Sequence, residues 1–355
     1  MSLFKDMLKD YESLFKDTVA LDYDYIPKLV PYRENEQRHI ASCIKPLFQE
    51  RNGKNVLIHG PPGVGKTVAI KHLFKELEEE TEEIIPIYIN CWQKNTTFKI
   101  FLEMCDAVGY RFTQNKKTDE LLIVLKQILN KKAVVFCFDE IDKVEDFDFL
   151  YFILEDIYRK TILMITNYKD WVVDLDERIR SRLTLEFLEF KKYNAEQTRG
   201  ILKDRMKYAF TDGVWEDNAF DLVAEKTAKI EDIRTGLYLM KESGNISENK
   251  SSRKITVEHV NEAVKKMDEF SIKKKEDLDD EEQLILKIVK SNSGKRIGDL
   301  FRTYQQQGGE GVYKTFQRKI KKLEENKFIS VSKVMGGKDG TTTIVSYQDK
   351  KLTDF

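Results

Sequence analysis

The sequence predicts an α/β fold in its first half: a parallel sheet with helices on both faces. An all-helical domain follows, and then a small C-terminal domain of helices and a hairpin. Three observations carry this reading. Up to about position 190 of the 355 residues, short continuous apolar runs alternate with longer amphipathic stretches, the pattern of buried parallel strands joined by crossover helices. Past Phe190 the strand-like runs stop and helical periodicity takes over. Near the end, two β-rich runs flank the glycine-rich turn Gly336-Gly337-Lys338-Asp339-Gly340, a hairpin signal.

Five core strands are expected: NVLIHG at 55–60, IIPIYINC at 84–91, KAVVFCFDE at 132–140, TILMITN at 161–167 and TLEFLEF at 184–190. Helices such as TVAIKHLFKELEEE and TDELLIVLKQILN lie between them. Four helical segments follow: NAEQTRGILKDRMKYAF, EDNAFDLVAEKTAK, IEDIRTGLYLMKESG and TVEHVNEAVKKMDEF. The polar SGNISENKSSRK at 243–254 reads as a loop among them, and SIKKKEDLDDEE at 271–282 as a charged linker. The final stretch reads as three helices and the strand pair FISVSKVM and TTTIVSY. The expected domains are therefore 1–190, 191–270 and 284–355, with a linker at 271–283.

Composition narrows the function classes. Hydrophobic residues make up 41% and charged residues 34%, as in a soluble protein with a charged surface. No apolar run approaches the ~18 residues of a membrane span. The N-terminal MSLFKDMLKDYESLFKD has no apolar signal core, so no membrane partner and a cytoplasmic, nucleoid-associated location are expected. The four cysteines (Cys43, Cys91, Cys105, Cys137) contain no C-x-x-C, and no metal-ligand spacing relates them to the four histidines; no zinc is expected. Net charge is −1, yet positions 287–355 hold fifteen Lys/Arg against seven Asp/Glu, about +8, leaving about −9 elsewhere. Such asymmetry hints at a basic module that meets a polyanion.

GPPGVGKT, from Gly60 to Thr67, matches the phosphate-loop pattern G-x-x-x-x-G-K-[ST] between a strand and a helix. Its backbone from Pro62, Gly63, Val64 and Gly65 through Lys66, Thr67 and Val68 is expected to cradle phosphates of ATP or ADP at a helix N-terminus. Lys66 reaches the β- and γ-phosphates and Thr67 ligates Mg²⁺. VVFCFDEID then delivers Asp139 and Glu140 at the C-terminal edge of an apolar strand. Asp139 is expected to hold Mg²⁺ through water, and Glu140 to orient the attacking water. Asn167, ending TILMITN, is placed to hold that water from its other side.

The basic run YKTFQRKIKKL opens the last domain's third helix. At about 100° per residue, Val312, Phe316, Ile320 and Leu323 share one face, and Lys314, Arg318 and Lys321 form a stripe nearly opposite. A one-sided basic helix followed by a hairpin describes a winged helix-turn-helix that enters the DNA major groove. Lys314, Lys321, Lys322, Lys333 and Lys338 are expected on phosphates, and Thr315, Gln317 and Arg318 on base edges.

GPPGVGKT, FDEID and ITN, in this order before a helical domain, resemble the AAA+ ATPases. With LFKDMLKDYESLF, VPYRENE and the C-terminal module, nearly the whole chain resembles the archaeal replication-initiator family related to the eukaryotic origin recognition complex and its cell-division-cycle helicase loader. The resemblance implies further roles. Val30, Pro31, Tyr32 and Arg33 would pack against adenine, Tyr193 and Arg205 would contact nucleotide from the lid, and Arg234 would sense the γ-phosphate. Before that arginine the family usually has Gly-Asp-Ala, where this chain has Glu231-Asp232-Ile233. Arg178 or Arg182 would be an arginine finger for a neighbouring copy, making a lone monomer a slow ATPase. Lys94 and Lys99 would touch DNA from an insertion helix. The implied function is an ATP-binding initiator that binds origin DNA, self-associates on it and helps recruit the replicative helicase. A clamp-loader-like or protein-remodelling ATPase and an ATP-controlled transcription regulator use the same parts.

Overall fold

The computed structural model describes residues 13–276, 278–309, 311–325, 328–336 and 340–347, with side chains at 174, 268–276, 325, 333–336 and 340–342 excepted. The chain divides into two compact units, Met1–Ile255 and Thr256–Phe355.

The first unit contains the sheet. Its strands are β1 (Val56–His59), β2 (Ile84–Asn90), β3 (Ala133–Asp139), β4 (Lys160–Thr166) and β5 (Glu186–Glu189), in spatial order β2-β3-β4-β1-β5. All four pairings are parallel. The helices interleaved with them are α1 (Glu34–Ile44), α2 (Lys66–Glu80), α3 (Thr97–Ala107), α4 (Thr118–Leu129), α5 (Asp148–Asp156) and α6 (Glu177–Leu183). Along β3, Val134, Phe136 and Phe138 join one apolar cluster while Ala133, Val135 and Cys137 join another. Both faces are covered, which is why the strand reads as an unbroken apolar run.

The expected strands overrun these by a residue or two, because Gly60, Glu140 and Asn167 belong to the loops that leave the sheet. At 184 the reason is different: Thr184 takes φ +41° to close α6, so β5 starts at Glu186. A β1 neighboured by β4 and β5, with β3 beyond β4, brings the loops after β1, β3 and β4 to one edge.

A helical lid of α7 (Ala195–Ala209), α8 (Asp217–Ile230) and α9 (Ile233–Asn249) completes this unit. Asn194 and Gln197 form a capping box at the start of α7. The supposed loop at 243–254 is corrected, since its first seven residues belong to α9. Ser243, Gly244 and Ser247 are buried there. Ser247 donates to the Lys254 carbonyl at 2.9 Å, and a Cβ on Gly244 would stand 2.3 Å from the Phe15 ring. Small polar residues mark a docking notch in a helix here, not a break.

The second unit holds α10 (Val257–Glu276), α11 (Asp280–Ser291), β6 (Lys295–Arg296), α12 (Ile297–Gln306), α13 (Tyr313–Glu325), β7 (Ile329–Gly336) and β8 (Gly340–Tyr347). The charged run at 271–282 is also corrected. Most of it is the end of α10 and the start of α11, with Asp279 and Glu282 forming a capping box. β7 and β8 form the expected antiparallel hairpin, and β6 adds a third strand against β8. Two residues are too few for a readable period, so β6 escaped sequence reading. Ile285, Leu300, Tyr304, Phe316, Ile320, Leu323 and Val345 form the core of this winged helix. Among the described residues no helix is long and apolar enough to cross a membrane.

Candidate functional site

The loop GPPGVGKT curls because three of its glycines take positive φ: Gly60 at +148°, Gly63 at +77° and Gly65 at +85°. Space forbids a side chain as well, since a Cβ would meet the Phe190 carbonyl oxygen at 2.3 Å from Gly60 and the Asp232 carboxylate at 2.2 Å from Gly63. Lys66 opens α2. Its Nζ donates to the carbonyls of Gly60 (2.7 Å) and Pro61 (2.8 Å) and to Asn167 Oδ1 (2.9 Å). Burial pushes its pKa down to about 8, against the pull of Asp139.

Asp139 ends β3 with both carboxylate oxygens engaged. Thr67 Oγ1 donates to Oδ2 at 2.5 Å, Tyr88 Oη to the same oxygen at 2.8 Å, and the Glu140 amide to Oδ1 at 2.9 Å. Sequence reading missed Tyr88. Burial and Asp139 hold its phenol far above the ordinary value, so it stays a donor. Glu140 is half-buried with φ +56°. Burial, Asp139 and Asp142 hold its carboxyl above the usual glutamate range, opposed by Lys143 and Arg234. Asp142, also missed, accepts from Thr166 Oγ1 at 2.9 Å.

The lid reaches the same place. Asp232 caps α9 by accepting from the Arg234 amide at 3.0 Å and lies against Gly63. The exposed Arg234 is close enough for its charge to act on both Lys66 and Glu140. Glu231 ends α8 at φ +61°, a left-handed conformation natural to glycine, and it pairs with Lys192.

Several expected site residues are engaged within the fold itself. Arg33 is buried, and its guanidinium donates to the Val64 carbonyl and Tyr193 Oη at 3.1 Å each and to Glu36 at 2.7 Å. It also donates to the Lys191 carbonyl and lies over the Phe190 and Tyr193 rings. Arg33 braces the phosphate loop. Tyr193 Oη would lie 2.8 Å from a Cβ on Gly65, so this lid tyrosine does reach the loop. Tyr32, at φ +65°, sets its hydroxyl against Gly200 of α7. Val30 and Val64 are buried in one cluster with Val68 packed on it, while Pro31 and Pro62 are half-buried. Arg205 is spent on the carbonyls of Ala20 (3.3 Å) and Tyr25 (3.4 Å) and on the Tyr25 ring; it ties the N-terminal segment to the lid.

On α6, Arg182 is held by Glu155 and the Tyr151 ring of α5. Arg178 is 82% exposed, with a loose 3.4 Å pair to Asp176. One face of α3 covers the sheet. Ile100, Phe101, Met104 and Cys105 bury it against the sheet, and Lys94 pairs with its Glu103 at 2.9 Å. Lys99 remains exposed, bonded to Asn95.

In the second unit, Phe316, Ile320 and Leu323 bury one face of α13. Val312 is corrected: it precedes the helix and is 68% exposed. Lys314, Gln317, Arg318 and Lys321 are exposed and Thr315 is half-buried. The five basic residues separate. Lys322 pairs with the buried Glu282 at 2.6 Å, and Lys319 with Asp279 and Glu281 at 2.9 and 2.7 Å. Lys314, Arg318 and Lys321 have no ion pair with a described residue. Lys338, the Lys333 side chain and positions 3–12 of LFKDMLKDYESLF lie outside the described residues.

The histidine–cysteine reading also needs correction, for His39 and Cys43 stand one helical turn apart on α1 and meet Glu186.

A phosphate loop facing a strand-borne Asp–Glu pair and a strand-end Asn, under a helical lid that carries an arginine, defines an AAA+ ATPase core. Family models match in the same places, the AAA domain over residues 49–167 and the Cdc6 AAA+ ATPase-type lid domain over 199–265. The chain is 30% identical over 344 residues to an ORC1-type DNA replication protein 1 of Archaeoglobus fulgidus, covering 91% of this chain and 84% of that one. It is 27% identical over 361 residues to an ORC1-type DNA replication protein 2 of Methanothermobacter thermautotrophicus, covering 96% and 94%. A third such protein, from Sulfurisphaera tokodaii, is 32% identical over 263 residues, 66% of its length. Among solved structures, Aeropyrum pernix ORC1 in complex with DNA superposes with TM-score 0.71 at 26% identity over 96% of both chains. Cdc6p from Pyrobaculum aerophilum, at 18% identity and TM-score 0.65 over 96% of both chains, shares the fold. The chain belongs to the ORC1-type DNA replication proteins, and it is a replication-initiator AAA+ ATPase.

Proposed function

We propose that this protein binds duplex DNA at replication origins through α13 and uses ATP bound at the phosphate loop as a slow switch. The observation that carries the DNA reading is the sorting of charge on α13. Two of its lysines are consumed by acidic partners, and three cations on the solvent side have no partner among the described residues. Uncompensated like charge along a helix costs stability, and a polyphosphate backbone returns it.

At the nucleotide site, the Thr67 hydroxyl and Asp139 carboxylate, 2.5 Å apart, are hard oxygen donors that fit Mg²⁺, which takes few protein ligands beside substrate phosphates. Bound there, Mg²⁺ supplies charge neutralisation for the β- and γ-phosphates. Lys66 neutralises the same phosphates, and its link to Asn167 aligns both with the reacting end. Glu140 orients water and receives its proton; its raised pKa suits a base that returns the proton after each turnover. Arg234 adds lid charge.

Arg178 is the better finger for a neighbouring copy, because Arg182 is engaged with Glu155 and Tyr151. Because that arginine comes from a second copy, an isolated chain turns over slowly. Membership of the replication-initiator family supports a further role in recruiting the replicative helicase. Genome-wide mapping of binding sites tests the reading. Occupancy concentrated at replication origins supports it; occupancy spread over promoters and absent from origins replaces it with transcriptional control.

A further inference from the structure

One cluster of ligand-type side chains plays no part in nucleotide or DNA chemistry. His39 and Cys43 project from successive turns of α1 toward Glu186, the first residue of β5. His39 Nε2 lies 3.1 Å from Glu186 Oε2, Cys43 Sγ lies 3.6 Å from that oxygen, and Nε2 and Sγ are 3.9 Å apart. Tetrahedral coordination with bonds of about 2.0–2.3 Å puts neighbouring donor atoms about 3.3–3.7 Å apart. The three observed edges bracket that range.

We propose that His39 Nε2, Cys43 Sγ and Glu186 Oε2 form a binding site for a zinc-class divalent cation that ties α1 to β5. One nitrogen, one sulfur and one oxygen make a borderline-soft donor set, which suits Zn²⁺ or Co²⁺ and disfavours Mg²⁺ and Ca²⁺. Lys54 Nζ holds the other carboxylate oxygen, Oε1, at 2.7 Å, orienting Glu186 so that Oε2 faces the two α1 ligands as outer-shell partners do. Cys43 is fully buried, whereas the His39 and Glu186 side chains are 40% and 33% exposed. The ion therefore enters from the solvent side and keeps a water as fourth ligand. On binding, the Cys43 S–H bond breaks, the sulfur electron pair forms the metal bond and the proton leaves to solvent.

The tie has a mechanical consequence. α1 begins just after Arg33, which holds the Val64 carbonyl of the phosphate loop, and β5 runs into Phe190 and Lys191, which hold Arg33. Metal at the far end of α1 fixes both elements that brace the loop.

The test is a Co²⁺ titration of the untagged full-length protein, followed by absorption. One equivalent is expected, with a thiolate-to-cobalt charge-transfer band that Zn²⁺ abolishes by displacement. Cys43→Ser and the partly exposed His39→Ala are both expected to lose the band and to weaken Zn²⁺ binding by at least ~10-fold. Circular dichroism shows that each variant is folded. No band in the wild-type protein, or a band that persists in either folded variant, overturns the site.

Discussion

Lys66 sets a pH dependence that is specific to the nucleotide site. In the free protein its pKa is pushed down to about 8 by burial, and the negative charge of bound phosphate raises it again. Binding therefore takes up a proton, so affinity is fully present below about 8 and falls as pH rises through that value. Isothermal titration across about pH 7 to 9.5 checks the sign; a Lys66→Arg variant that still binds is expected to show a flat profile, because guanidinium stays charged. Lys66→Ala is expected to abolish nucleotide binding. At Glu140, replacement by Gln is expected to leave ATP bound and to lower turnover by ~10²–10⁴, measured as phosphate release in single-turnover conditions; a wild-type rate would remove Glu140 from the mechanism. Residue-scale reading of the chain located both side chains, since loop and strand-end chemistry is local. It could not show what holds Arg33 and Arg205, whose partners Tyr193 and Ala20 lie 160 and 185 positions away.

At the scale of elements, α6 and α13 each contain cations of two kinds. On α6, Arg178→Ala is expected to reduce the ATPase rate only at concentrations where copies associate, whereas Arg182→Ala removes the contact to Glu155 and Tyr151 and lowers thermal stability. Rate measured against protein concentration separates the two. On α13, Arg318→Ala is expected to weaken duplex binding by ~1–3 kcal/mol with the melting temperature unchanged. Lys322→Ala is expected to do the reverse, because it leaves Glu282, 2% exposed, without its cation. Solvent around the half-exposed Lys322 moderates that cost to about 1–3 kcal/mol. Fluorescence anisotropy and a calorimetric melt on both variants decide it. The 3.6-residue period separated the buried and basic faces of α13 from sequence alone. It put Lys321 and not Lys322 in the basic stripe, but it could not show that Lys322 is paired, because its partner Glu282 lies on α11.

For the whole molecule, the three α13 cations free of described ion pairs predict salt dependence. Removing Lys314 and Lys321, the two placed on phosphates, should flatten the slope of log affinity against log salt by about 2; an unchanged slope means that α13 does not meet phosphate. By itself the sequence determined the five parallel strands, the curled phosphate loop, the lid helices α7 and α8 and the amphipathic α13. Each follows from periodicity or backbone constraint within a few neighbouring residues. Only the tertiary structure decided that α9 continues past Ser243, because its small residues receive Phe15 from the chain's start. It alone joined His39 and Cys43 to Glu186, 143 positions beyond the cysteine. Such partnerships depend on which strands become neighbours, and the order β2-β3-β4-β1-β5 is settled by burying both faces of the sheet, not by any local pattern.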